Sequence, residues 1–108
     1  MSRSPRAKVR SRKEMRGHYL LRLFMASNAP NSKQALSNLR RLCEEHLKGR
    51  YTIETVDVGK NYEAAVKQNI LVTPALILVA PRPKVIILGN LSDRQKVLLT
   101  LRLSEGDP

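Results

Sequence analysis

Few side chains in this sequence could do chemistry, and their spacing argues against most reactions. Its single cysteine, Cys43, rules out an internal disulfide and a cysteine-based zinc site. Cys43 falls on the apolar stripe of a helical pattern, where a thiol is packed and inert. His46 stands beside Glu45 late in the same segment, which suits a surface histidine favoured by the helix dipole. The acids Glu54, Asp57 and Glu63 are scattered around the next extended segment, and turn or solvent roles account for them. Two histidines without a His-Glu or cysteine cluster make no metal site, and no glycine-rich phosphate loop occurs. Ser27 and Ser32 sit in the loop Ser27-Asn28-Ala29-Pro30-Asn31-Ser32, but a serine nucleophile needs a general base and none lies nearby. No catalytic residue, cofactor or metal is expected.

Charge is the next signal. The 108 residues carry a net charge of +11. Residues 1–17 hold Arg3, Arg6, Lys8, Arg10, Arg12, Lys13 and Arg16 against Glu14 alone. This leader has almost no apolar residues, so it is expected to be disordered. A second reading makes it a non-specific contact to a polyanion or nucleic acid, through phosphate neutralisation. It lacks aromatic residues that would stack on bases, so base reading is not expected. No secretory segment or membrane span is visible, and a soluble cytoplasmic protein is the default.

The elements that would position these side chains begin at His18. The segment HYLLRLFMA, His18 to Ala26, is apolar on both faces and suits an interior strand. A loop follows, then a helix in which Ala35, Leu36, Leu39, Leu42, Cys43 and Leu47 form one stripe. Asn31 with Gln34 resembles a capping box, Ser32 is an alternative cap, and Gly49 follows the helix end. Tyr51 to Val58 reads as a strand. Asn61 can cap a short helix in which Tyr62, Ala65, Val66 and Asn69 share a face.

The stretch Gln68 to Ala80, QNILVTPALILVA, is the apolar centre of the chain and is expected to be buried on both faces. Pro74 cannot donate a ladder hydrogen bond, so a strand should start near Ala75. Pro81-Arg82-Pro83 makes a stiff turn before a strand from Lys84 to Leu88. Gly89-Asn90 makes another, and Ser92 with Gln95 resembles a capping box for a last helix ending near Leu103.

The order is strand, helix, strand, helix, strand, strand, helix, in one domain over residues 18–104 with a polar tail at 105–108. Strands joined through helices pair in parallel, and the last two should be antiparallel. A four-stranded mixed sheet with three helices is the thioredoxin architecture. In that architecture the proline opening the third strand is cis, which is the expectation for Pro74. Its nucleophile sits in the loop after the first strand, and here that loop has no cysteine. A thiol oxidoreductase is therefore a remote reading, disfavoured by the missing CxxC. A scaffold without a reactive site most often binds other proteins.

The segments LRLFMASNAPNS, YTIETVDVGKN, ILVTPALI and above all ILGNLSDRQKVLLTL closely resemble the KaiB family of circadian-clock proteins. The resemblance runs from about Tyr19 to Leu103. It implies a non-enzymatic regulator that binds the N-terminal ATPase ring of a KaiC-type hexamer. It also implies two folds: an unbound homo-oligomer, dimer or tetramer, with a rearranged C-terminal half, and a thioredoxin-like monomer that binds the ring. The residues expected to take part in that switch are Pro74, Pro81, Pro83, Gly89 and Asn90. Two packings of one sequence that differ by a few kcal/mol can interconvert. A kinase of the SasA type, whose sensor domain belongs to the same family, is a candidate competitor. Partner contacts are expected at Glu54, Lys60 and Lys67, near an exposed strand edge. Three positions depart from the family pattern: Asn90 replaces an aspartate, Arg82 a proline and Glu54 a basic residue. The last reverses the charge of the strand that meets the activator KaiA, so it counts against KaiA binding.

Overall fold

The structure, a computed structural model, describes residues 17–103. The leader as far as Arg16 and the tail 105–108, with the expectations placed on them, lie outside the described residues. Seven elements follow in order: β1 (Tyr19–Met25), α1 (Pro30–His46), β2 (Tyr51–Asp57), α2 (Tyr62–Lys67), β3 (Ala75–Ala80), β4 (Val85–Leu88) and α3 (Arg94–Thr100). The sheet order is β2-β1-β3-β4. β1 runs parallel to β2, with Tyr19 opposite Tyr51 and Met25 opposite Asp57. β3 is antiparallel to both β1 and β4. The four-stranded mixed sheet is as expected, but the parallel pairing expected for strands joined through a helix holds only for β1 and β2: β3, joined to β2 through α2, is not its neighbour and runs antiparallel to β1.

Alternation along β1 and β3 divides the core in two. Leu21, Leu23, Leu76 and Leu78 face α1 and α3, where they meet Leu39, Leu42, Cys43, Val97, Leu98 and Leu101. Phe24, Ala75 and Ile77 face the other way and meet Ala65 of α2. Strands buried on both faces need apolar residues at nearly every position, which is why β3 reads as a continuous apolar run and β1 as one broken only by Arg22. Replacing one of these leucines by alanine would cost about 2–5 kcal/mol. A buried cross-link closes the larger core: the Tyr19 hydroxyl donates to the Leu101 carbonyl at 3.1 Å.

Several local expectations are corrected. The capping box at Asn31 and Gln34 does not form. Ala29 occupies the N-cap without a side-chain bond, and Pro30 takes the first helical turn, where a missing N–H is no loss. Ser32 is instead buried, and its hydroxyl accepts from the Ala26 amide at 3.0 Å. That bond fastens the end of β1 to the start of α1. At α3 the cap is Asp93, not Ser92: its carboxylate accepts from the Lys96 amide at 3.1 Å. α3 also stops at Thr100, short of Leu103.

The smaller helix departs most. Asn61 caps α2 as expected, accepting from the Ala64 amide at 3.4 Å. Yet α2 ends at Lys67, and of the residues expected to share a face, Tyr62, Ala65, Val66 and Asn69, only Ala65 is buried. Tyr62 and Val66 are 67% and 59% exposed. The first half of the apolar centre is not buried either, since Leu71 is 92% exposed. The chain between α2 and Pro74 passes over the sheet instead of entering it. Burial on both faces begins only at Pro74.

Candidate protein-interaction surface

The carboxyl ends of β1 and β2 are where a reactive group would be presented in this architecture. β1 leads into a turn at Ser27 and Asn28, both exposed, with Asn28 in the left-handed region at φ +65°. The Ser27 hydroxyl donates to the Asp57 carboxylate. The other Asp57 oxygen accepts from the Gly59 amide at 2.9 Å. The Ser27 hydrogen bond, followed by the Gly59 amide and the nearby Lys60 charge, holds the Asp57 carboxyl below its ordinary value. An ionised acid bonded to a hydroxyl could act as a base, but the serine proton lies on a fully exposed turn. No oxyanion-stabilising group is gathered there. The arrangement is a turn lock that joins the loops after β1 and β2.

Cys43 is fully buried inside α1, well away from that turn in sequence. Desolvation, with a smaller contribution from the Glu44 charge, pushes its thiol up to about 12. A thiolate is the reactive form, so this thiol is inert at neutral pH. Among the described residues no group of three or more His, Cys, Asp and Glu side chains could hold a metal ion. None of their helices is long and apolar enough to cross a membrane.

The surface on the α2 side of the sheet is different in kind. Tyr62 and Val66 on α2, Leu71 and Val72 after it, and Ile86 and Leu88 on β4 are all exposed. Ile86 stands opposite Ile77, and Leu88 opposite Ala75, so both lie on the face that α2 covers. At six residues, α2 is too short to cover the β4 side of that face. The Lys84 ammonium donates to Gln68 Oε1 at 3.0 Å, tying the chain just past α2 to the start of β4. Exposed apolar side chains gathered on one face are the kind of surface that protein contacts use.

The three residues expected to meet a partner lie around this surface. Glu54 is on β2, an edge strand among the described strands, and its carboxylate accepts from Arg22 Nε at 2.8 Å. Lys60 is exposed in the turn before α2, and Lys67 is exposed on its last turn. Lys60, Lys67 and Lys84 thus give the apolar patch a basic rim. Sequence reasoning missed the patch itself, because Leu71 and Val72 belong to the apolar stretch Gln68 to Ala80 that was expected to be buried throughout. The available signal was Pro74, which separates them from β3.

The residues expected to act as a switch cluster at two places. The Thr73–Pro74, Ala80–Pro81 and Arg82–Pro83 bonds are all cis. The Gly89 amide donates to the Pro74 carbonyl at 2.9 Å, so Pro74 and the Gly89 turn are neighbours. Gly89 takes φ +104°. Asn90 holds this turn to α1: its Nδ2 donates to Gln34 at 3.3 Å, and its carbonyl accepts from Asn38 at 2.8 Å. The left-handed residue after Gly89 is Leu91, at φ +64°, and not Asn90.

A mixed four-stranded sheet of this order, with helices on both faces, defines a thioredoxin-like scaffold, and its loop after β1 carries no thiol. Solved structures agree on the fold. The N-terminal domain of Synechococcus elongatus SasA superposes with TM-score 0.67 at 20% identity, covering 84% of this chain and 90% of that domain. Chloroplastic thioredoxin z gives TM-score 0.67 at 19% identity, covering 94% of this chain and 89% of that one. The KaiB domain family model matches residues 22–103. The circadian clock oscillator protein KaiB of Microcystis aeruginosa is 46% identical over 85 residues, 79% of this chain and 82% of that protein. The KaiB of Synechococcus elongatus is 44% identical over 89 residues, 82% of this chain and 87% of that protein. The chain belongs to the KaiB family.

Proposed function

We propose that this chain is a non-enzymatic clock regulator that binds the N-terminal ATPase ring of a KaiC-type hexamer. It binds as a monomer in the fold described above, and a homo-oligomer with a rearranged C-terminal half is its unbound state. The observation that carries this reading is the apolar surface of Tyr62, Val66, Leu71 and Val72 with its basic rim. A protein interface needs such an apolar centre with charges at its edge to steer approach. Membership of the clock family supplies the class of partner. A SasA-type kinase competes for the same ring in this reading, since its N-terminal domain has the same fold. Glu54, engaged by Arg22, leaves the β2 edge without the basic charge expected to meet KaiA, so KaiA binding is not part of the proposal.

Binding kinetics on the isolated N-terminal ring of a KaiC-type protein test it, with wild type beside K60E/K67E. The charge reversal should slow association about tenfold, the lower end of electrostatic steering. A wild-type chain that does not bind the ring at micromolar concentration ends the proposal. Unchanged kinetics in the double variant would remove Lys60 and Lys67 from the interface.

A further inference from the structure

The two edges of the sheet are built differently. β2 and β4 end the strand order β2-β1-β3-β4. Along β2 the exposed side chains are Thr52, Glu54 and Thr55, all polar, and Glu54 is paired with Arg22. A charge on an edge is one of the devices that keep a strand from pairing with another chain. β4 reads Val85-Ile86-Ile87-Leu88, without a charge, a proline or a break in its register with β3. Its exposed side chains are Ile86 and Leu88.

The register fixes which backbone groups of β4 face outward. The Gly89 amide donates to the Pro74 carbonyl, so these two residues form a hydrogen-bonded pair. Antiparallel ladders alternate bonded and non-bonded pairs. With Leu88 opposite Ala75, the next bonded pairs are therefore Ile87 with Leu76 and Val85 with Leu78. The N–H and C=O of Ile86 and Leu88 point the other way, to the open edge. Among the described strands none lies beyond them. The same two residues thus expose an apolar side chain and a donor and an acceptor of the main chain.

We propose that the partner of the α2 surface supplies an extended segment that lies along the outer edge of β4 as a fifth strand, with apolar side chains at alternate positions and an acidic residue at its end. The inference rests on the reading of that surface as a protein contact and names the chemistry that meets it. Strand addition gives affinity through main-chain hydrogen bonds and specificity through alternate side chains. Here those side chains would cover Ile86 and Leu88, on the face that α2 leaves open. Charge selects the occupant. Residues 81–96 carry Arg82, Lys84, Arg94 and Lys96 against Asp93, and Arg94 is engaged by Glu45. Lys84 follows the face of Ile86 and Leu88, while Lys96 lines a small cavity with Ile87, Leu88 and Val97. Asp93 is occupied in capping α3. An acidic segment complements this edge, and a second copy of the chain would bring the same lysines to it.

The test is hydrogen exchange at residue resolution on the full-length chain, free and bound to the isolated N-terminal ring of a KaiC-type protein. The Ile87 and Gly89 amides are held by β3 in both states, whereas those of Ile86 and Leu88 are open in the free chain. Binding should slow Ile86 and Leu88 about tenfold more than Ile87 and Gly89. A second arm compares I86P with I86A: both lose the side chain, but only I86P loses the outward N–H, and neither breaks a bond to β3. I86P should bind about tenfold more weakly than I86A, with circular dichroism checking the fold. If I86P does not fold, the exchange arm decides alone. A wild-type chain that does not bind the ring ends this inference together with the reading beneath it. Binding with protection over residues 62–73, but with Ile86 and Leu88 exchanging as in the free chain, overturns the added strand alone, as does I86P binding as well as I86A. K96E should weaken binding, and an unchanged affinity overturns the acidic end. Protection of Ile86 and Leu88 that grows with the concentration of the free chain would make a second copy the occupant and overturn the proposal.

Discussion

Two side chains with chemical potential, Cys43 and Asp57, are spent on structure, each for a different physical reason. Cys43 is packed among Leu39, Leu42 and Leu47 on the inner stripe of α1, and burial keeps its proton on up to about pH 12. Cys43→Ala should leave partner binding intact and cost less than the ~2–5 kcal/mol of a core leucine truncation. Loss of binding in a variant that still melts cooperatively would contradict the inert thiol. Asp57 is half-buried and held by Ser27 and Gly59 in its ionised form. Its folded pKa is lowered, so its stabilising effect is present above the unfolded aspartate value and is lost as pH falls through the folded one. Ser27→Ala should therefore lower the melting temperature at pH 7, and the gap from wild type should close in strong acid. A gap that stays constant from pH 7 to pH 2 would show that the Ser27 bond does not depend on the Asp57 charge.

At the scale of elements, the sequence was most legible where one physical signal dominated. The α1 stripe of Ala35, Leu39, Leu42 and Cys43 is buried as its spacing predicts. The break before Ala75 was legible from Pro74 alone. What was not legible was burial around α2. Ile70 to Val72 has the composition of a buried strand, but only Ile70 packs against the core, and Leu71 and Val72 stay on the surface. Composition reports the cost of exposing apolar side chains. It does not report whether the fold covers them, so the exposed Leu71 and Val72 read as core. The turn at Gly89 is a similar case: Asn90 looked suited to left-handed geometry, but its side chain is taken by Ser92 and Gln34, and Leu91 turns instead.

Gly89 itself carries a prediction at this scale. A Cβ placed on it would meet nothing within 4 Å, so only its backbone angle of +104° resists substitution. Gly89→Ala should cost this fold about 1–2 kcal/mol, a factor of roughly 5–30 in population. If the proposed second packing relaxes that angle, the variant shifts toward the oligomer, visible in sizing and in the NMR spectrum. A chain of unchanged size and spectrum with only a lower melting temperature would contradict a switching role for this turn.

At the scale of the whole molecule, the α2 surface is where exposed apolar side chains gather, with Lys60, Lys67 and Lys84 at its edge. Hydrogen–deuterium exchange on the chain, alone and bound to the N-terminal ring of a KaiC-type ATPase, tests the central proposal most directly. Amides of α2 and of residues 70–73 start exposed on a short helix and a loop, so they should exchange fast in the free chain. Bound to the ring, that stretch should gain the largest protection, while the outer face of α1 should change little. Protection confined to α1, with residues 62–73 exchanging as fast as in the free chain, would contradict the account.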